Sequence, residues 1–153
     1  MWGAALFSTP ALAWGQDAPH LLVIEEDPVL AEQLVEIIRA RRLKAIVANT
    51  GEEGVLLASK FRPQGIILDV TLPEVDGWSV MERLRAEPRT REIPVHFVSG
   101  VESKDRGLAL GAIGYLMKPA THAELALAVR ALAPSRVRRH AQRARRRRQR
   151  FGG

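Results

Sequence analysis

GIILDVTLPEVDG, residues 65–77, opens on an apolar run, stops at the carboxylate of Asp69 and continues into a loop punctuated by Pro73 and Gly77. A short apolar run bounded by turn signals reads as a strand covered on both faces. In open α/β sheets the chemistry gathers just beyond the carboxyl ends of such strands. Taken alone, an Asp at that point is a helix cap or a turn former. Its company argues otherwise, because two further strand-like runs also end in charged residues. Leu21 to Ile24 runs into Glu25-Glu26-Asp27-Pro28, and Gly114 to Met117 runs into Lys118-Pro119.

Working downstream from Gly77, Asp76 is placed to cap a helix whose apolar members are Trp78, Val80, Met81 and Leu84, and Pro88 and Pro94 bracket the loop after it. Val95 to Val98 reads as a strand ending at Ser99-Gly100, followed by a short helix from Ser103 to Leu110. After the Gly114–Met117 strand, Thr121 and Glu124 form a capping box for a last helix carrying Leu125, Leu127, Val129 and Leu132. Upstream, Asp27 and Pro28 start a helix with Leu30, Leu34, Ile37 and Ile38 on one face, running to about Arg41, with a strand over Ala45–Ala48 beyond it. Thr50 and Glu53 suggest a second capping box, for a helix with Val55, Leu56 and Phe61 that stops before Pro63. Five strands alternating with five helices predict a parallel sheet with helices on both faces.

The chain has 153 residues, 46% of them hydrophobic and 26% charged, enough for one core without a metal or disulfide staple. The absence of Cys suits a reducing, cytoplasmic setting and excludes thiolate metal sites and Cys nucleophiles. The four His are not spaced as zinc ligands. The formal charge of +6 is unevenly placed: nine Arg lie in residues 134–153 with no acid among them. Residues 1–133 therefore hold 14 of the 23 bases against all 17 acids, a net of −3. Residues 1–19 contain a short apolar run, Trp2 to Phe7, with no Lys or Arg before it, and read as a leader or linker rather than a signal peptide. Nothing approaches the ~18 apolar residues needed to span a bilayer.

Glu25, Glu26, Asp69, Ser99 and Lys118 thus stand at strand ends. Carboxylates brought this close repel, and a cleft that keeps them ionised needs a divalent cation; hard oxygen ligands with open positions favour Mg²⁺. A carboxylate can attack phosphorus to form an acyl phosphate, while a metal, an ammonium and a hydroxyl neutralise the transferring group.

The segments LLVIEEDP, GIILDVTLPEVDGW, PVHFVSG and GAIGYLMKP, in this order and spacing, resemble the receiver domain of two-component response regulators and hybrid histidine kinases over residues 20–133. The resemblance implies a flavodoxin-like, doubly wound sheet of order 2-1-3-4-5. It implies Asp69 as phosphoacceptor, with Glu25, Glu26, Asp69 and the Thr71 backbone carbonyl as Mg²⁺ ligands. Ser99 and Lys118 would bind the phosphoryl group, Ser99 and Tyr115 would form the switch, and the bond before Pro119 is a candidate cis peptide. The donor would be a histidine kinase or a histidine phosphotransfer domain, and the output partner is open. The responding face would be the fourth helix, fifth strand and fifth helix of a monomer or weak dimer, a signalling domain rather than an enzyme.

Glu26 departs from the family, which usually has Asp there. The extra methylene reads as an acid-for-acid change, with a phosphorylation-independent adaptor as the alternative. Thr71 and Val101, two residues beyond Asp69 and Ser99, offer no carboxylate or amide to an attacking water, so a long-lived acyl phosphate is expected. A flavin-binding protein of the same architecture would want a Ser, Thr or Gly-rich loop where Glu25-Glu26-Asp27 stands. His96, His122 and Trp78 read as structural. The basic tail, Arg136 to Arg150 above all, reads as solvated chain, with attraction to nucleic acid as the alternative.

Overall fold

The computed structural model describes residues 20–133 together with Arg147, Arg148 and Arg150. The expected leader over 1–19 and most of the basic tail over 134–153 lie outside the described residues. In chain order the elements are β1 (His20–Ile24), α1 (Pro28–Ala40), β2 (Lys44–Ala48), α2 (Gly51–Phe61), β3 (Gly65–Leu68), α3 (Gly77–Ala86), β4 (Val95–Ser99), α4 (Lys104–Ala109), β5 (Gly114–Met117) and α5 (His122–Leu132). The strands form one parallel sheet of order β2-β1-β3-β4-β5, as expected from the sequence.

Each strand feeds alternate side chains into two separate apolar layers. From β1, Leu22 and Ile24 join Trp78, Met81, Leu84 and Phe97 on the face covered by α2 and α3. Leu21 and Val23 join Leu34, Ile38, Leu125 and Val129 beneath α1 and α5. β3, at the centre, is buried along its whole length, as its unbroken apolar run requires. Burying a side chain such as Phe97 or Leu68 contributes about 1.5–3 kcal/mol, so these two layers supply most of the drive to fold.

The helix starts are read from their caps. Asp27 accepts from Val29 N, Asp76 from Ser79 N, and Thr121 and Glu124 form a full reciprocal box. At Thr50 only half of the expected box is made: Thr50 Oγ1 accepts from Glu53 N, and Glu53 Oε1 is buried without a hydrogen-bond partner.

Two predicted core members also differ. Leu56 is 65% exposed and Leu127 62% exposed. In α2 the sheet-facing positions are Gly51, Gly54, Leu57 and Ala58, and in α5 they are Leu125, Ala128, Val129 and Leu132. The 3.6-residue period turns Leu56 and Leu127 out of those stripes.

α1 and α2 close with left-handed residues that are not glycine: Arg42 at φ 59° and Arg62 at φ 46°. After α1, Leu43 N donates back to Ile38 O at 3.3 Å, and Arg62 N donates to Ala58 O at 3.0 Å. A side chain in this region costs about 1 kcal/mol relative to glycine.

Candidate functional site

Because all five strands are parallel, their carboxyl ends and the starts of all five helices share one rim. There the sheet's own hydrogen bonding carries past the strands: Glu25 N donates to Ala48 O and Asp69 N to Ile24 O, both at 3.0 Å. These bonds fix the backbones of both acids, and both side chains are buried, Glu25 to 2% exposure and Asp69 to 4%. Lys118, at the end of β5, reaches across to them. Its Nζ donates to Asp69 Oδ2 at 2.9 Å and to Glu25 Oε2 and Oε1 at 3.0 and 3.2 Å. Glu25 Oε1 also accepts from Asp27 N at 3.0 Å, and Asp69 Oδ1 from Thr71 N at 3.3 Å. The Lys118–Pro119 peptide is cis.

These groups floor an open cavity of about 360 Å³ lined by Glu25, Glu26, Asp27, Asp69, Thr71, Gly100 and Lys118, with Pro28 at its edge. Glu26 lines it from an exposed position, and Thr71 is also exposed. Burial, then the charge of Asp69, pushes the Glu25 carboxyl up to about 7, against the opposing pull of the Asp27 amide and Lys118. Burial works against the Lys118 ammonium, but its bonds to Asp69 and Glu25 outweigh that and hold its pKa above the ordinary lysine value.

The cleft gathers Glu25, Glu26, Asp27 and Asp69 around the single ammonium of Lys118, and its acceptors are all hard oxygens. That chemistry fits a magnesium ion, which usually takes one or two carboxylates and fills its shell with water. Among the described residues no three acidic or histidine side chains converge into a ready-made cage. The inner carboxylates instead aim at Lys118.

Gly77, a residue the sequence offers only as loop punctuation, makes the rim possible. A Cβ there would lie 2.1 Å from the Asp69 carbonyl oxygen and 2.7 Å from Val70 Cα. Its bare backbone lets α3 start against the end of β3, where Gly77 N donates to Val70 O at 2.8 Å. A Gly directly after a capping Asp is the signal that could have revealed it.

Ser99 and Tyr115 are not part of the cavity lining. Ser99 is fully buried and its Oγ accepts from Val101 N at 3.1 Å. The Tyr115 hydroxyl donates to the carbonyl of the same residue, Val101. The Tyr115 ring lies under α4, 5.6 Å from Phe97 and nearly parallel to Trp78 at 6.4 Å, with the Arg106 guanidinium 4.6 Å from the Trp78 ring on the solvent side. Gly107 leaves room for it, since a Cβ there would come within 2.7 Å of the Tyr115 ring.

Residues 21–130 match the response regulator receiver domain, and the chain belongs to that family. It is 35% identical over 117 residues to the DNA-binding dual master transcriptional regulator RpaA of Synechocystis, covering 74% of this chain and 48% of that protein. The chain spans about half the length of the curated relatives it matches. Its fold matches the receiver domain of the Francisella response regulator 1452 at TM-score 0.68 and 29% identity, over 74% of this chain and 95% of that one. It also matches the receiver domain of a sensor histidine kinase from Pseudomonas aeruginosa, at TM-score 0.67 and 26% identity over 75% and 97% of the two chains. That neighbour holds a magnesium ion in its active site cleft. The expectation of a receiver domain of two-component signalling is thereby borne out. Among the described residues no helix is long and apolar enough to cross a membrane.

Proposed function

We propose that this domain accepts a phosphoryl group on Asp69 from a phosphohistidine of a cytoplasmic histidine kinase or histidine phosphotransfer domain. The observation that carries the reading is Lys118 Nζ, held 2.9 Å from Asp69 Oδ2 at the floor of an open acidic cleft. An Asp69 oxygen bonds to phosphorus as the phosphorus–nitrogen bond breaks, and the electron pair leaves with the imidazole. Lys118 shifts from the Asp69 carboxylate to a phosphoryl oxygen, and Thr71 N keeps the carboxylate oriented. Glu25, Glu26, Asp69 and the Thr71 carbonyl would hold Mg²⁺, which when bound neutralises charge on the transferring group. In this role Glu26 acts as an acid-for-acid replacement, and the domain is a signalling acceptor rather than an enzyme.

Ser99 and Tyr115 form the switch of this proposal. A phosphoryl oxygen draws the Ser99 hydroxyl away from Val101 N, which displaces the residue whose carbonyl holds Tyr115. The responding face is that of α4, β5 and α5, where exposed Leu108, Met117 and Leu127 support a docking role for a monomer or weak dimer. Residues 20–133 form the working unit, with 1–19 a leader or linker and 134–153 a basic tail. With Thr71 and Val101 beside the site, the acyl phosphate persists for minutes or longer, and a lifetime of seconds would count against this part.

The test is incubation of the full chain with Mg²⁺ and a small-molecule phosphodonor, read by intact mass. Wild type gains one phosphoryl group and Asp69→Ala gains none. Equal gain in both proteins removes Asp69 from the mechanism.

A further inference from the structure

The parallel topology sorts the charges of the folded body to opposite ends. The cleft rim holds the exposed acids Glu26, Asp27, Glu74, Asp76, Glu102 and Asp105 around buried Glu25 and Asp69, against the exposed bases Lys104 and Arg106 at the start of α4. The far rim, where helices end and strands begin, holds Arg41, Arg42, Arg62, Arg89, Arg91 and Arg130, all exposed, against only Glu87 and Glu92. That these segments share one rim follows from their contacts: Gln64 N bonds to His20 O, Arg89 to Ser59 O, and Leu132 packs on Gly65. We propose that this far rim is a docking surface for the phosphate backbone of duplex nucleic acid, separate from the phosphorylation cleft.

Three observations single out this partner. Arginine predominates, and its planar fork matches phosphate oxygens. The side chains of Arg41, Arg42, Arg62, Arg91 and Arg130 form no ion pair with the acids of the described residues, so their charge is available to a ligand. Neighbouring strands lie about 4.8 Å apart, so the starts of β2, β1, β3 and β4 spread these bases over roughly 15 Å. That length covers about four phosphates of one strand.

An anionic membrane fits less well. An interfacial binder needs several apolar side chains among its bases, and of the exposed large hydrophobics only Ile113, just before β5, and Leu108, in the last turn of α4, stand on this rim, at its β5 edge; Val29 and Met117 are at the cleft end, and Leu56 and Leu127 lie midway along their helices. The acidic rim faces away from the bound polyanion, so the two ends can be occupied together.

The test uses the full chain and the double variant Arg42→Gly/Arg62→Gly, which removes two charges while relaxing two strained residues, so folding is retained. Binding to a mixed-sequence duplex of about 20 base pairs is followed by fluorescence anisotropy at about 50 and 200 mM salt. The variant should bind at least about tenfold more weakly at the lower salt, and the slope of log affinity against log salt should fall by about 2. An unchanged affinity and slope would assign any binding to the tail alone and overturn the proposal. So would tighter binding of the full chain to phosphatidylserine vesicles than to the duplex.

Discussion

The two rims of the sheet use charge in opposite ways. At the cleft, Glu25, Asp69 and Lys118 are drawn together on rigid strand ends, and Glu25 is driven toward neutrality by burial and by Asp69. At the far rim, arginines stand apart in solvent at the ends of α1, α2 and α5 and in the α3–β4 loop. The first arrangement concentrates field on one small volume, while the second spreads it over a surface. A strand end is inelastic and two-sided, so a charge there is desolvated and must find partners. A helix end is wet, so a charge there keeps its hydration and costs the fold little.

Substitutions should break this contrast in order of size. Gly77→Ala forces a Cβ into the Asp69 carbonyl, and backbone cannot yield as a side chain tip would. A loss of about 3 kcal/mol or more is expected, read as a collapse of the urea midpoint. Next is Glu25→Gln, measured in EDTA across pH. The Glu25 carboxyl is raised to about 7 in the fold from an ordinary 4.5, so its contribution to stability is full below 4.5 and is lost as pH rises through 7. The variant should therefore gain on wild type across that window, by about 3 kcal/mol in all, and a flat difference would disprove the effect of burial and of Asp69 on this carboxyl.

On the far rim the sign of the reward reverses. Arg42→Gly and Arg62→Gly should each raise stability by about 0.5–1 kcal/mol, measured by thermal unfolding, because each relieves a left-handed side chain. Smallest is the effect of His96 in β4, whose pKa burial lowers against the weaker pull of the Phe97 carbonyl. The fold keeps it neutral, so its contribution is complete above pH 6.5 and lost as pH falls through the lower folded value. Relative to His96→Gln, wild type should weaken only on the acid side.

Much of this was legible in the residues, and the failures have physical causes. β3 and Asp69 stood out because an apolar run ending in a carboxylate has few other uses. Glu25, Glu26, Asp69, Thr71 and Lys118 do meet around one cavity. The Ser99 hydroxyl is turned to its own loop instead, a choice between rotamers that no spacing encodes. Leu56 and Leu127 misled because hydrophobicity was counted without its phase around the helix. The sorting of charge was invisible for another reason: acids and bases alternate along the chain, so residues 1–133 average to a mild −3, and only the parallel winding separates them in space.

The stacking of Trp78 against Tyr115 gives the domain an optical readout of its own. Trp78 is the one tryptophan among the described residues, and its emission depends on the ring beside it and the guanidinium above it. With Trp2 and Trp14 replaced by Phe, the remaining fluorescence would test the proposed switch in real time, without any attached dye, by changing on phosphorylation only if Tyr115 moves relative to Trp78.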